Sequence, residues 1–201
     1  MGNMCDDKLK IEKAVESQYP AVRGFYHAMI DALKESSYDL GWKKDIYPAP
    51  DFLLASIRTG ELYIVQDEDR IIASMVINHE CNDSYRNFQW PEEIAPDEVT
   101  VIHALGVFLA YGRRGIGRQM MQFALDTARL HKQKVIRLDV LKDNIPAKRL
   151  YENLGFRYLH TLPMFYENTG WTEFDLYEYE IKQPDEQLYT GVCEEIGRAH
   201  V

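Results

Sequence analysis

The sequence predicts a mixed α/β fold: a central mixed, mostly antiparallel sheet of six to seven strands with helices on both faces. Three observations lead there. Leu62–Val65 and Ile71–Ile77 are runs rich in β-branched residues that flank the polar Asp67–Arg70, the pattern of a β-hairpin. Val99–Leu109 and Val135–Leu141 are apolar strands separated by an amphipathic helix, which makes a right-handed βαβ unit at 99–141 with two parallel strands. Residues 156–166 and 172–181 alternate around a Gly170-Trp171 turn as a final antiparallel pair.

The remaining elements follow in order. Residues 8–15 alternate through Leu9 and Ile11 and suit a first strand. Pro20 opens a helix whose stripe is Val22, Phe25, Met29, Ile30 and Leu33. A polar loop over 35–50 precedes a short helix that Asp51 caps and Gly60 ends. Residues 79–98 form a polar insertion with Tyr85, Phe88, Trp90, Pro91 and Pro96, and a connection of this length points to function. Ile116, Met120, Ala124 and Ala128, widened by Met121 and Leu125, form the stripe of the crossover helix, which ends near His131. Asn144 and Pro146 start a second short helix, and Gly155 closes it.

Composition narrows the function. A chain of 201 residues with 46% hydrophobic and 12% aromatic residues supports one domain over 1–182, followed by a tail over 183–201. The last seven residues, 195–201, look like translated sequencing adapter and are set apart from the fold as non-native. No long apolar window or secretory signal is present, and Cys5, Cys81 and Cys193 are odd in number and far apart, so a reduced, cytoplasmic protein is expected. Net charge is −9, yet residues 101–160 hold 11 Lys and Arg against 4 Asp and Glu. That basic block suits a polyanionic cofactor. The acidic remainder excludes nucleic acid and favours a cationic substrate. No Cys/His cluster suggests a metal.

The chemistry concentrates at 103–117, where an apolar strand runs into Gly112-Arg113-Arg114-Gly115-Ile116-Gly117 and then a helix. Glycines let backbone amides approach a ligand, and the first amides of a helix carry unpaired donors and the positive end of its dipole. This is a phosphate cradle, with Arg113, Arg114 and Arg118 as added cations. A dinucleotide fold does not fit, because a hairpin precedes the turn where βαβ units belong.

Together with Leu105-Gly106-Val107, this turn resembles the motif of the GNAT superfamily of N-acetyltransferases. The resemblance extends to Asn144 and to Ala147-Lys148-Arg149-Leu150-Tyr151 running into Gly155-Phe156, in the family's order and spacing. One position departs: Gly112 stands where the family carries Gln or Arg. The resemblance implies acetyl-CoA, with its pyrophosphate on 112–117 and its pantetheine along the strand at Val107. The implied contacts are Val107, Phe108, Gly112, Arg113, Arg114, Gly115, Ile116, Gly117, Arg118, Asn144 and Lys148, with Arg149 beside them. It also implies that the glycine-motif strand splays from its neighbour, a distortion that Gly106 would aid.

The implied reaction is direct attack of a primary amine on the thioester. Tyr151 matches the tyrosine that protonates the leaving sulfur. His103 lies four residues before Val107, where relatives place a glutamate base, and Glu98 is a second candidate. Acceptor recognition is expected from 35–50, 80–98 and 163–171, which hold Trp42, Tyr47, Tyr85, Trp90, Phe165, Tyr166 and Trp171 among Asp39, Asp45, Asp83, Glu92 and Glu93. The acceptor is expected to be a small cationic amine, and a homodimer is compatible with the chain. The competing reading is a non-catalytic acyl-CoA-binding sensor or partner domain.

Overall fold

The computed structural model describes residues 9–34 and 40–182. The expected tail and its adapter-like end lie outside them. A seven-stranded sheet has the order β1-β2-β3-β4-β5-β7-β6. Its strands are β1 (Ile11–Lys13), β2 (Leu62–Asp67), β3 (Arg70–Asn78), β4 (Val99–Val107), β5 (Val135–Leu141), β6 (Arg157–Tyr166) and β7 (Gly170–Glu180). All neighbours are antiparallel except β4 and β5, which the crossover helix makes parallel.

Four α-helices cover the sheet: α1 (Tyr19–Lys34), α2 (Pro50–Arg58), α3 (Ile116–Leu130) and α4 (Ile145–Asn153). Alternation along β2 sorts the core onto two faces. Leu62 and Ile64 pack with Val22, Phe25 and Met29 of α1 and Leu53 and Ile57 of α2. Tyr63 and Val65 pack with Met120, Met121 and Leu125 of α3 and Tyr151 of α4. β3 is buried from Ile71 to Asn78 because helices cover both its faces, so it reads as a continuous apolar run.

Some boundaries differ from the sequence reading. Ala49, not Asp51, is the N-cap of α2, because Pro50 takes the first helical position and moves Asp51 into the first turn. β4 stops at Val107, and Leu109–Tyr111 is a 3-10 turn. β7 begins at Gly170, which pairs with Tyr166, so the hairpin turn lies at 167–169. The insertion over 79–98 is ordered by a 3-10 turn at Asp83–Asn87, where the Asn82 side chain accepts from the Ser84 amide.

The feature that matters most for function is a rupture between β4 and β5. Their ladder runs only from Val99–Val135 to Val101–Arg137. Beyond it β5 stays with β7 as far as Leu141–Phe174, while β4 stays with β3 as far as Ala73–Val107. The sheet therefore splits over residues 102–107. The cause is a bulge in β4, whose register against β3 slips between Val76–His103 and Ser74–Gly106. Ala104 sits in this slip with φ +50°.

The bulge is therefore at Ala104 and not at Gly106, which pairs normally with Ser74. Gly106 is needed for room instead: a Cβ there would lie 2.7 Å from Met29 Sδ of α1. Tyr26 of α1 holds the bulge, since its buried hydroxyl donates to the Ala104 carbonyl at 2.8 Å and lies 3.1 Å from Ser74 Oγ. Tyr26→Phe leaves that carbonyl unpaired beside a left-handed residue. It should lower the unfolding free energy by roughly 1–2 kcal/mol, read as a reduced urea midpoint at unchanged m-value.

Candidate active site

The split in the sheet opens into two cavities that share a wall. The larger, about 550 Å³, runs from Gly106 and Val107 past the glycine turn to α4. Gly115 is the N-cap of α3 with φ +77° and contributes no capping side chain. The first intrahelical bond runs from the Gln119 amide to the Gly115 carbonyl, so the amides of residues 116–118 have no helical acceptor. Arg113 is also left-handed, with φ +62°. Two such residues in so short a turn shape an anion-binding concavity. Arg113 and Arg118 are exposed on this groove without a carboxylate partner among the described residues.

Gly112 has a steric reason. Its amide closes the Leu109–Tyr111 turn by donating to the Leu109 carbonyl at 3.0 Å, and a Cβ would lie 3.0 Å from that same oxygen. A longer residue at this position would push the turn open.

The smaller cavity, about 100 Å³, lies in the fork between β4 and β5. Leu105, Asn144, Ala147 and Tyr151 line both spaces, so they meet there. Tyr151 is buried on α4 against Phe156 and Tyr177, yet its hydroxyl has no hydrogen-bond partner among the described residues. Burial, and after it the charge of Asp139, pushes its phenol well above the ordinary tyrosine value, so it holds its proton. Asn144 caps α4, its Oδ1 accepting from the Ala147 amide at 3.3 Å.

Among the described residues, Asp139 is the one acidic side chain lining the smaller cavity. Tyr85, from the insertion, donates to its Oδ2 at 2.9 Å. Tyr166, from β6, lies 2.9 Å from Oδ1 and 3.0 Å from Oδ2. Burial raises its pKa to about 6, while the two tyrosine donors pull the other way. Trp42, Tyr47 and Phe174 complete the aromatic wall. The loop carrying Trp42 and Tyr47 is tied across the cavity by Asn168, which donates to the Gly41 carbonyl at 2.9 Å, and by the Tyr47–Tyr166 ring contact at 5.8 Å.

The fold that carries this arrangement has known counterparts. A model of the acetyltransferase (GNAT) family matches residues 25–156. The chain belongs to that family. It is similar to an N-alpha-acetyltransferase RimI from Mycobacterium tuberculosis, 38% identical over 34% of this chain and 42% of that protein. It is also similar to a mycothiol acetyltransferase from Corynebacterium glutamicum, 36% identical over 34% of this chain and 23% of that protein. The chain thus spans less than half the length of these curated relatives. Among solved structures, a GNAT acetyltransferase from Streptococcus agalactiae aligns with TM-score 0.72 at 15% identity, covering 90% of this chain and 100% of that one. The yncA structure from Salmonella typhimurium, solved with its cofactor acetyl-CoA, aligns with TM-score 0.62 at 15% identity over 89% and 97% of the two chains. At these identities the structures establish the fold.

Against the GNAT pattern, the sequence-derived residues divide. Val107, Gly112, Arg113, Gly115, Ile116, Gly117, Arg118, Asn144 and Tyr151 all line the larger groove. Phe108, Arg114 and Lys148 do not. Phe108 turns into the α1 side of the core with the Arg70 guanidinium 4.1 Å from its ring centre. Arg114 lies over Tyr111, which is itself anchored to Asp67. Lys148 pairs with the buried Asp175 and donates to the Lys142 carbonyl at 3.2 Å, so Arg149 takes the groove position instead.

The two proposed bases are placed differently. Glu98 lies at the start of β4 and pairs with Lys134 at 2.9 Å, away from both cavities. His103 lines the smaller cavity, but its Nε2 is 2.9 Å from Asn78 Oδ1 and burial lowers its pKa to about 4. Of the expected acceptor acids, Asp45 is held by Arg23 and His27 of α1, and Asp83 pairs with Arg86. Asp39 lies outside the described residues. Trp90 stacks on Arg137, whereas Phe165 and Trp171 form an exposed pair at the β6–β7 tip. Asp139 was missed. Its signal is a carboxylate inside the apolar run Val135–Leu141.

Asp139 and His103 give the fold opposite responses to pH. A carboxyl whose folded pKa is raised contributes stability below its unfolded value and loses it as pH rises through about 6. A histidine lowered to about 4 binds more protons when unfolded, so stability rises between about 4 and 6.5. Asp139→Asn keeps an acceptor oxygen for the tyrosines while removing the buried charge. It should stabilise the protein at pH 7.5 by roughly 1–2 kcal/mol in urea unfolding, with the gain absent at pH 4.

Proposed function

We propose that the protein is an acetyl-CoA-dependent N-acetyltransferase that acetylates a small cationic amine by direct attack on the thioester. The observation that carries the reading is the Tyr151 hydroxyl, protonated and without a hydrogen-bond partner among the described residues, at the junction of an anion-cradling groove and a carboxylate-bearing cavity. The family membership and the names of the two curated relatives support it.

The residues fit the cofactor. The free amides of 116–118, the left-handed turn and Arg113, Arg118 and Arg149 would hold its phosphates. The split edge of β4 near Val107 would take the pantetheine. Bound there, acetyl-CoA supplies the electrophilic carbonyl and a thiolate leaving group.

The protein's own groups then account for the protons. An alkyl ammonium, with a pKa of about 10.4, must lose a proton to become nucleophilic. The Asp139 carboxylate, ionised at neutral pH, receives the ammonium group. The first proton leaves to solvent; as the new C–N bond forms the nitrogen becomes acidic and Asp139 takes the second. His103, neutral at that pH, serves as a polar wall beside it. Tyr151 gives its proton to the sulfur as the C–S bond breaks, and the phenolate regains a proton as Asp139 gives up the one it took. A sensor domain would need neither a hydroxyl placed at that junction nor a half-buried carboxylate beside it.

Tyr151→Phe should cut kcat for thiol release about 10–100-fold while leaving acetyl-CoA affinity by calorimetry within a factor of about three. Unchanged turnover in that variant would remove Tyr151 from the role of acid.

A further inference from the structure

Among the described residues, the acceptor cavity is lined by one group that is charged at neutrality, Asp139, since His103 is neutral there. No Lys or Arg among the described residues lines it. On β5, after it and on α4, three cations are paired: Arg137 with Glu178 at 3.0 Å, Lys142 with Glu173 at 2.6 Å, and Lys148 with Asp175.

A carboxylate on the acceptor would therefore lose its water next to Asp139 with no lining cation among the described residues to balance it. An ammonium group would gain a partner already oriented for it. The Asp139 oxygens accept from Tyr85 on one side and Tyr166 on the other, which fixes the carboxylate plane.

We infer that the acceptor is a primary amine whose neighbouring carbons carry no charge, and that Tyr85 and Tyr166 are the positioning residues that aim the Asp139 carboxylate at it. Free α- and β-amino acids are excluded as substrates. The inference rests on the acetyl-transfer reading of the same site.

Both tyrosines also act on the ionisation of Asp139, because a hydroxyl donated to a carboxylate favours its charged form. The other groups facing it are Tyr47 from the loop, Tyr151 from α4, His103 from β4 and Cys81 from the insertion, with Arg137 two residues back on β5. Among the described residues, Tyr85 and Tyr166 are the side chains that donate to it. Removing either hydroxyl raises the carboxyl pKa, and the acid limb of the rate profile follows it upward.

The test is thiol release by the full chain with acetyl-CoA and matched acceptors, with kcat/KM expressed per unprotonated amine. The pairs are propylamine against β-alanine and glycinamide against glycine. The uncharged-neighbour member should lead by about 100-fold or more, because an unpaired buried charge is strongly rejected. Tyr85→Phe and Tyr166→Phe should each move the acid limb of the propylamine profile up by about half a unit or more. A merely structural role would lower the rate without moving that limb. Equal rates within a pair, or faster amino acids, overturn the acceptor class while the observed thiol release keeps the transferase reading. A limb that stays in place in both variants overturns the role of the tyrosines. No thiol release with any of the four acceptors overturns the transferase reading itself, and this inference with it.

Discussion

Everything at the site depends on β4 and β5 ceasing to hydrogen-bond after Val101 and Arg137. A continuous ladder would fill the space that both cavities occupy. A strand edge left open in the middle of a sheet is normally a liability. Here it is forced and held by particular contacts. Ala104 in the left-handed region adds the extra residue to β4, and the Tyr26 hydroxyl from α1 takes up its displaced carbonyl. β5 stays straight because β7 pairs with it along its whole length. The two strands part because each has a stronger claim on its outer neighbour.

The same split sets the electrostatics. Asp139 sits on the inner edge of β5 where it is shielded from bulk water but reachable from the fork, and that desolvation pushes its carboxyl up to about 6. That is a poised value and also an unstable one, since the charged form is disfavoured by burial. The fold accepts this cost at one strand position and offsets it with two phenolic donors, the usual way a protein keeps a buried charge useful.

The sequence showed the groove of the glycine turn well and the smaller cavity poorly, for a physical reason. The glycine turn and the start of α4 are shaped by backbone amides and caps, which depend on neighbours within a few residues. Gly115 and Asn144 were legible because a helix cap is local. Asp139 depends on Tyr85, 54 residues away, and Tyr166, 27 residues away, and no short pattern joins them. Ala104 carries no mark of its left-handed backbone, so the distortion was assigned to Gly106, the nearest residue without a Cβ. Lys148 and Phe108 followed the motif in sequence, but Asp175 and the α1 core claimed their side chains.

Arg137 and Asp139 lie on one face of β5, about 7 Å apart, and the insertion over 79–98 grips both. Trp90 lies 3.8 Å over the Arg137 guanidinium, and Tyr85 bonds the Asp139 carboxylate. The strand thus works as a ruler against which the insertion is registered. Among the described residues the insertion lines neither cavity, so its hold on the smaller one runs through the Asp139 carboxylate. A change between the two grips would reach that cavity by turning the carboxylate, with the glycine turn, more than twenty residues further along the chain, left in place.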